Sequence, residues 1–150
     1  MDIVSPATRS RMMAGIRSSD TKPEIIVRKL LHSQGFRYRL KTKILNHSPD
    51  IVLPRYRVAI FVHGCFWHRH TGCKYTTVPK THVEKWQNKF EENIQRDGCI
   101  EKKLLANGWN VAVIWECWSK RKLDISWLCS WIKHPIPSHV SWPEVHGSQS

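Results

Sequence analysis

Acidic residues are scarce: twelve Asp and Glu stand against twenty-four Lys and Arg, leaving a formal charge of +12 over 150 residues. Such an excess points to a polyanionic partner, nucleic acid first and an acidic membrane surface second. Long apolar runs are lacking too. None reaches the roughly 18 uncharged residues that a bilayer span requires, so no membrane insertion is expected. The opening Met1-Asp2-Ile3-Val4-Ser5-Pro6 has neither the basic nor the apolar region of an export signal, and a cytoplasmic location is expected. Cysteine is limited to five residues, Cys65, Cys73, Cys99, Cys117 and Cys129. An odd set without an export signal argues against a disulfide framework and makes reduced thiols candidate metal ligands. Repeats and low-complexity runs are absent. What is present suffices for one folded domain: 41% apolar residues and eight Trp, in a chain long enough to bury roughly 70% of its extended surface. Core filling accounts for most of the Trp, and stacking on bases is the sharper alternative.

Periodicity outlines the elements. Met12, Met13 and Ile16 lie among Arg9, Arg11 and Arg17, which suits a short basic helix. Thr21-Lys22-Pro23-Glu24 reads as a capping box with Pro in the first turn, followed by Ile25, Ile26, Lys29 and Leu30 and a stop at Gly35. Phe36 to Leu40 alternates apolar and basic, as a half-exposed strand does. Asp50 to Leu53 and Val58 to Val62 suit a hairpin broken at Pro54-Arg55, the second strand buried on both faces. A loop rich in His, Cys and Gly runs from His63 to Pro79. Helical spacing returns with Trp86, Phe90 and Ile94, then with Ile100, Leu104 and Leu105 up to Gly108. A buried strand from Trp109 to Trp115 and a helix carrying Ile125, Leu128, Cys129 and Ile132 follow. Beyond His134 three prolines and small polar residues suggest an irregular tail. The order α-α-β-β-β-loop-α-β-α describes an α/β fold, a mixed sheet flanked by helices. The expected divisions are an N-terminal helical region (1–19), a core domain (20–133) and a tail (134–150).

The chemistry concentrates in His63-Gly64-Cys65-Phe66-Trp67-His68-Arg69-His70-Thr71-Gly72-Cys73. Cys65, His70 and Cys73 have the C-x4-H-x2-C spacing of a loop folded round one cation, and tetrahedral Zn2+ needs a fourth donor. Cys117, just past the last strand, is the candidate; Cys99 and Cys129 sit on helix patterns and read as small core residues. Asp50 opens one strand of the hairpin and His63 ends the other. A carboxylate there can hold Mg2+, and an imidazole can touch phosphate or move a proton; a turn-capping Asp is the plain alternative. His68, two residues before His70, would project to the opposite side of an extended loop and stay free for acid–base work, with Asp97 a candidate to orient it. Glu24 is structural in the capping box unless its carboxylate also faces a metal. Phe66 and Trp67, adjacent aromatics in a loop, suit exposure and stacking on or wedging between bases. Trp86 fits the helix stripe with Phe90 and reads as core on pattern.

These residues resemble the very-short-patch-repair (Vsr) DNA mismatch endonucleases. The carriers are Ala7-Thr8-Arg9-Ser10 with Met13, Asp20-Thr21, Glu24, Pro49-Asp50, the run Phe61 to His68, His70, Cys73, Trp86, Asn93, Arg96-Asp97 and Trp115-Glu116-Cys117. The likeness spans about residues 7 to 133. It implies a restriction-endonuclease-like core with a structural zinc loop. The implied enzyme is Mg2+-dependent and nicks one strand 5′ of the thymine in T·G mismatches, the product of 5-methylcytosine deamination. By the same likeness Asp50 is the Mg2+-binding aspartate and Val62 binds the ion through its backbone carbonyl, where the family often has Thr. His63 contacts phosphate, His68 is the catalytic histidine paired with Asp97, and Glu24 is a further active-site acid. Cys65, His70, Cys73 and Cys117 become the Zn2+ ligands. Phe66, Trp67 and Trp86 wedge beside the mismatch, Lys89 and Asn93 approach it, and Met13 arrives with the N-terminal helix from the minor groove.

The expected partner is therefore double-stranded DNA with a T·G mismatch, bound by a monomer, with mismatch-repair proteins as candidate partners and the nucleoid as the site of action. Competing readings are a homing or restriction-type nuclease on the same fold and a non-catalytic zinc-containing DNA-binding module. An RNA-binding domain fits the charge but not the acid–His arrangement.

Overall fold

The computed structural model describes residues 21–144. The basic helix expected at 8–18, with Met13, lies outside the described residues. Helix α1 (Lys22–Ser33) begins at the expected capping box: Thr21 caps it, Pro23 sits in its first turn, and the Thr21 N–H donates to Glu24 Oε2 at 3.4 Å. It ends before Gly35, whose φ of 82° suits glycine. The expected strand at 36–40 is not formed. Only Arg39 pairs, in a single bridge to Val52, and Lys41 at φ 54° turns the chain away before a ladder can grow.

The hairpin is present. Strand β1 (Ile51–Leu53) runs antiparallel to β2 (Val58–His63), joined by a 3-10 turn over Pro54–Tyr56. A four-residue helix, α2 (Cys65–His68), follows, then α3 (Val83–Ala106) and β3 (Asn110–Trp115). Helices α4 (Cys117–Lys120) and α5 (Trp127–Lys133) lead to β4 (His139–Trp142). The four described strands lie in the order β1-β2-β3-β4, with β2–β3 and β3–β4 parallel. The sheet is thus mixed and flanked by helices. The tail is not irregular throughout: β4 adds to the free edge of β3, where backbone pairing satisfies polar groups that the composition of 134–144 does not reveal.

Alternation in β2 separates two cores. Val58 and Ile60 face α1 and α5 with Val27, Leu31, Leu128 and Ile132, while Ala59 and Phe61 face α3 with Leu104, Val111 and Val113. None of the eight Trp reaches the exposed class, and Trp67, Trp118 and Trp131 are buried, so core filling describes them better than solvent-facing stacking. The two helical stretches expected either side of Asp97 are one helix of 24 residues, unbroken at Gly98. Packing of Phe90 below and Leu104 above that point outweighs the roughly 1 kcal/mol that a helical glycine costs. Cys99, expected in the core, faces solvent instead.

A Cβ at Gly98 would meet no atom within 4 Å. Gly98→Ala should therefore raise unfolding stability by about 0.5–1 kcal/mol, read as a higher denaturant midpoint at unchanged slope.

Candidate active site and metal centre

Both parallel strands β2 and β3 finish at the same end of the sheet, and a cleft of about 560 Å³ opens there. Its lining follows from alternation. His63 shares the face of Ala59 and Phe61, and Asp50, one residue before β1, shares the face of Val52. The Val62 N–H donates to Asp50 Oδ2 at 2.7 Å and ties the two strand ends together. His68, at the end of α2, stacks on His63 with ring centroids 3.8 Å apart and planes at 7°. Its Nδ1 lies 2.6 Å from Asp97 Oδ2 on α3. A proton on Nδ1 donated to that carboxylate leaves Nε2 as the basic nitrogen. Glu24, 3% exposed, also lines the cleft and accepts from Arg28 at 2.7 Å. It therefore does cap its helix, as the sequence suggested, while its charge still reaches Asp50.

Burial sets the electrostatics. It raises the Asp50 carboxyl to about 6; the Val62 hydrogen bond opposes this, and the Glu24 charge adds to it. Burial also lowers His63 to about 3, helped by the neighbouring His68 and opposed by Asp97. His63 is thus a neutral imidazole at physiological pH, and its Nδ1 is buried without a hydrogen-bond partner. Glu24, Asp50, Glu92, Asp97 and Glu116, five of the chain's twelve acidic residues, line this one cleft, beside only Lys89 and Arg96 among the Lys and Arg. A strongly basic protein has gathered its carboxylates here, which suits a cation.

Behind the cleft, Cys65, His70, Cys73 and Cys117 are all buried, and their donor atoms lie within 4.8 Å of one another. His70 Nδ1 is 3.6 Å from Cys65 Sγ and 3.5 Å from Cys117 Sγ. Its Nε2–H donates to the Pro143 carbonyl at 2.7 Å, so the nitrogen facing the thiols is the unprotonated one. Arg121 donates to Cys73 Sγ at 3.5 Å. Burial raises the Cys65 and Cys117 thiols, whereas at Cys73 burial is outweighed by hydrogen bonds from the Tyr75 backbone and Arg121, and the thiol falls. Three thiols and one imidazole are the donor set of a tetrahedral structural metal site.

A third group is aromatic. Phe66, Trp67, Trp86 and Phe90 form one cluster, with Phe66–Trp86 at 5.8 Å and Trp67–Trp86 at 5.7 Å between centroids. Trp67 is only 7% exposed, while Phe66 and Trp86 are half-buried.

A family profile for DNA mismatch endonuclease Vsr matches residues 1–74. The nicking enzyme V.XorIIP of Xanthomonas oryzae is 49% identical over 116 residues, 77% of this chain and 85% of that one. Vsr of Escherichia coli is 40% identical over 116 residues, 77% of this chain and 74% of that one. The chain belongs to the Vsr DNA mismatch endonuclease family. V.NmeAIP of Neisseria meningitidis, another nicking enzyme, is 44% identical over 121 residues, 81% of this chain and 86% of that one.

In this Vsr-family protein, Glu24, Asp50, Val62, His63, His68 and Asp97 line one cleft, and the four metal-ligand candidates meet in one cluster. The segment carrying Phe66 and Trp67 is helical rather than extended, because His68 N–H bonds back to Gly64 O and His70 N–H to Cys65 O. His68 still points away from His70, into the cleft. Trp67 is not exposed in the free protein: the short helix turns it onto α3, where Asn93 donates to the Trp67 carbonyl at 3.1 Å. Asn93, expected at DNA, is itself buried and also accepts from Arg96 at 2.8 Å. Lys89 Nζ lies 5.8 Å from the Trp67 ring centroid. Sequence reasoning gave no role to Glu116 or Pro143. Glu116 stood inside the Trp-Glu-Cys run as a usable signal, whereas a backbone carbonyl leaves none.

Two predictions follow from burial. Trp67→Ala should cost about 3–5 kcal/mol of stability and half-buried Trp86→Ala clearly less, by thermal melting of the free protein. Asp50 holds its proton more tightly folded than unfolded, so its contribution is complete below pH 3.8 and lost as pH rises through about 6. In metal-free solution Asp50→Asn should therefore be more stable than the parent above pH 6, by about 3 kcal/mol. The advantage should vanish toward pH 4 in denaturant titrations.

Proposed function

We propose that the protein nicks one strand of duplex DNA 5′ of the thymine in a T·G mismatch, using Mg2+, in very short patch repair of deaminated 5-methylcytosine. The observation that carries this reading is the convergence of Asp50, His63 and the His68–Asp97 pair on a single cleft. A DNA-binding module without catalysis needs none of them. Phosphodiester hydrolysis requires an activated water in line with the leaving oxygen and positive charge on the phosphate.

His68 Nε2 accepts the proton of the attacking water, and Asp97 holds the ring in the required tautomer and stabilises the imidazolium. Stacked 3.8 Å away, His63 stays neutral and offers one N–H to a phosphate oxygen. Asp50, with the Val62 carbonyl, would hold Mg2+, which when bound offsets charge at the phosphate and leaving oxygen. The site fits that ion: its donors are hard oxygens, and the burial and carboxylate repulsion that raise Asp50 are relieved by a cation. Val at position 62 keeps the carbonyl that the family's Thr would supply. Glu24, in the same cleft, would orient waters beside such an ion.

Cys65, His70, Cys73 and Cys117 would hold a structural Zn2+, which the neutral Nδ1 of His70 and the three thiols suit. Phe66 and Trp86 are the accessible part of the wedge, and Trp67 supports them from below until the cluster opens on DNA. A T·G wobble unstacks at lower cost than a matched pair, which supplies selectivity. Lys89 approaches the mismatch, Asn93 acts there through the Trp67 carbonyl that its buried amide holds, Met13 meets the minor groove, and the basic surface supplies phosphate contacts.

Incubation of the protein and Mg2+ with end-labelled T·G and T·A duplexes tests the function. Nicking of the thymine strand only in the T·G duplex is expected; equal cutting of both returns the protein to a sequence-specific nuclease. Asp50→Ala should lose nicking by several orders of magnitude, while its duplex affinity in gel shifts changes little.

A further inference from the structure

Strand β4 does more than extend the sheet. Together with the residue that follows it, it bears on His70, the single imidazole of the metal centre, by two routes, one direct and one through Trp115 of β3. The first is the 2.7 Å hydrogen bond from His70 Nε2 to the carbonyl of Pro143, the residue that follows the strand and is itself buried. The second runs through Trp115. Its ring stacks on His70 with centroids 4.4 Å apart and planes at 6°, and its Nε1–H donates to Ser141 Oγ at 2.8 Å. One contact fixes which nitrogen carries the proton and the other fixes the plane of the ring. Together they leave a single orientation, with Nδ1 toward Cys65 and Cys117.

We propose that Ser141 and the backbone carbonyl of Pro143 are positioning groups for the metal centre, and that the C-terminal strand thereby sets how firmly the protein retains zinc. This rests on the zinc reading of the cluster. Freed of Pro143, His70 can place its proton on Nδ1, which removes the lone pair from the metal side and leaves three thiols without their fourth partner. Freed of Ser141, the Trp115 ring can rotate and release the imidazole plane. Groups that orient a ligating histidine in this way carry roughly 10–100-fold in metal affinity.

The test uses the full-length protein loaded with Zn2+, timing release of the ion to excess chelator. A glycine inserted between Trp142 and Pro143 keeps all of β4 but shifts the acceptor; release should accelerate roughly 10–100-fold, and nitrogen NMR of the zinc-free variant should show that the His70 proton is no longer confined to Nε2. Ser141→Ala should accelerate release by the lower end of that range, and Ser141→Thr, which keeps the hydroxyl, should restore it. His139→Ala removes the 2.6 Å contact with Glu101 at the other end of β4; it should lower the melting temperature without changing release. Wild-type release rates in both the insertion and Ser141→Ala overturn the proposal, as does His139→Ala releasing zinc as fast as the insertion. Should the insertion variant fail to fold, the Ser141 pair decides. A wild-type protein that takes up no zinc removes the metal centre itself, a result distinct from zinc held equally well by parent and variants.

Discussion

In the parallel ladder between β2 and β3, His63 stands opposite Trp115, and the chain leaves both strands at the same end of the sheet. The Glu116 N–H closes that end by donating to the His63 carbonyl at 2.9 Å. From there β2 runs into Gly64-Cys65 and β3 into Glu116-Cys117, so the register that fixes His63 in the cleft also brings Cys65 beside Cys117. A slip of one residue would turn His63 to the other face and part the two cysteines. Parallel pairing also demands a crossover connection. Here the crossover contains α2 and α3, and it carries Asp97 back over His68. Cleft and Cys–His cluster are thus two consequences of one strand pairing.

The distribution of charge divides the work. Net positive charge over the molecule attracts a polyanion at long range, while five carboxylates in one cleft favour a small cation at short range. The two do not conflict, because solvent screens the surface charges within about a Debye length and burial preserves the effect of those in the cleft. The stacked histidines add a further constraint. Two imidazoles 3.8 Å apart oppose simultaneous protonation, and burial keeps His63 neutral. The His68 ring, braced by Asp97, is the less enclosed of the two.

Much of this was legible in the chain itself. The capping box at Thr21, the hairpin through Pro54, the all-apolar run from Val58 and the ligand spacing in Cys65-x4-His70-x2-Cys73 are local patterns, and local patterns report local structure. Asp50 and His63 could be assigned to one end of the sheet because alternation and a short hairpin leave few alternatives. The reading at Phe36–Leu40 went astray because alternation shows only that a segment can pair, not that a neighbouring strand is long enough to meet it. Gly98 and the apparent gap at Asp97 misled for the opposite reason: packing along a long helix outweighs one weak residue.

What only the tertiary structure decided are the relations between distant segments whose participants carry no distinctive side chain. Trp67 looked like an exposed loop aromatic, and became buried once four residues of helix turned it onto α3. The segment after His134 looked irregular, and became an edge strand because β3 had an open side to pair with. The Pro143 carbonyl became the hydrogen-bond acceptor of a thiol-facing histidine, 73 residues away in sequence. The chain by itself determined which residues could hold a metal or move a proton, since that is side-chain chemistry and short-range spacing. Which of them are oriented, neutral or enclosed was decided by burial and backbone hydrogen bonds, which exist only once the fold has closed.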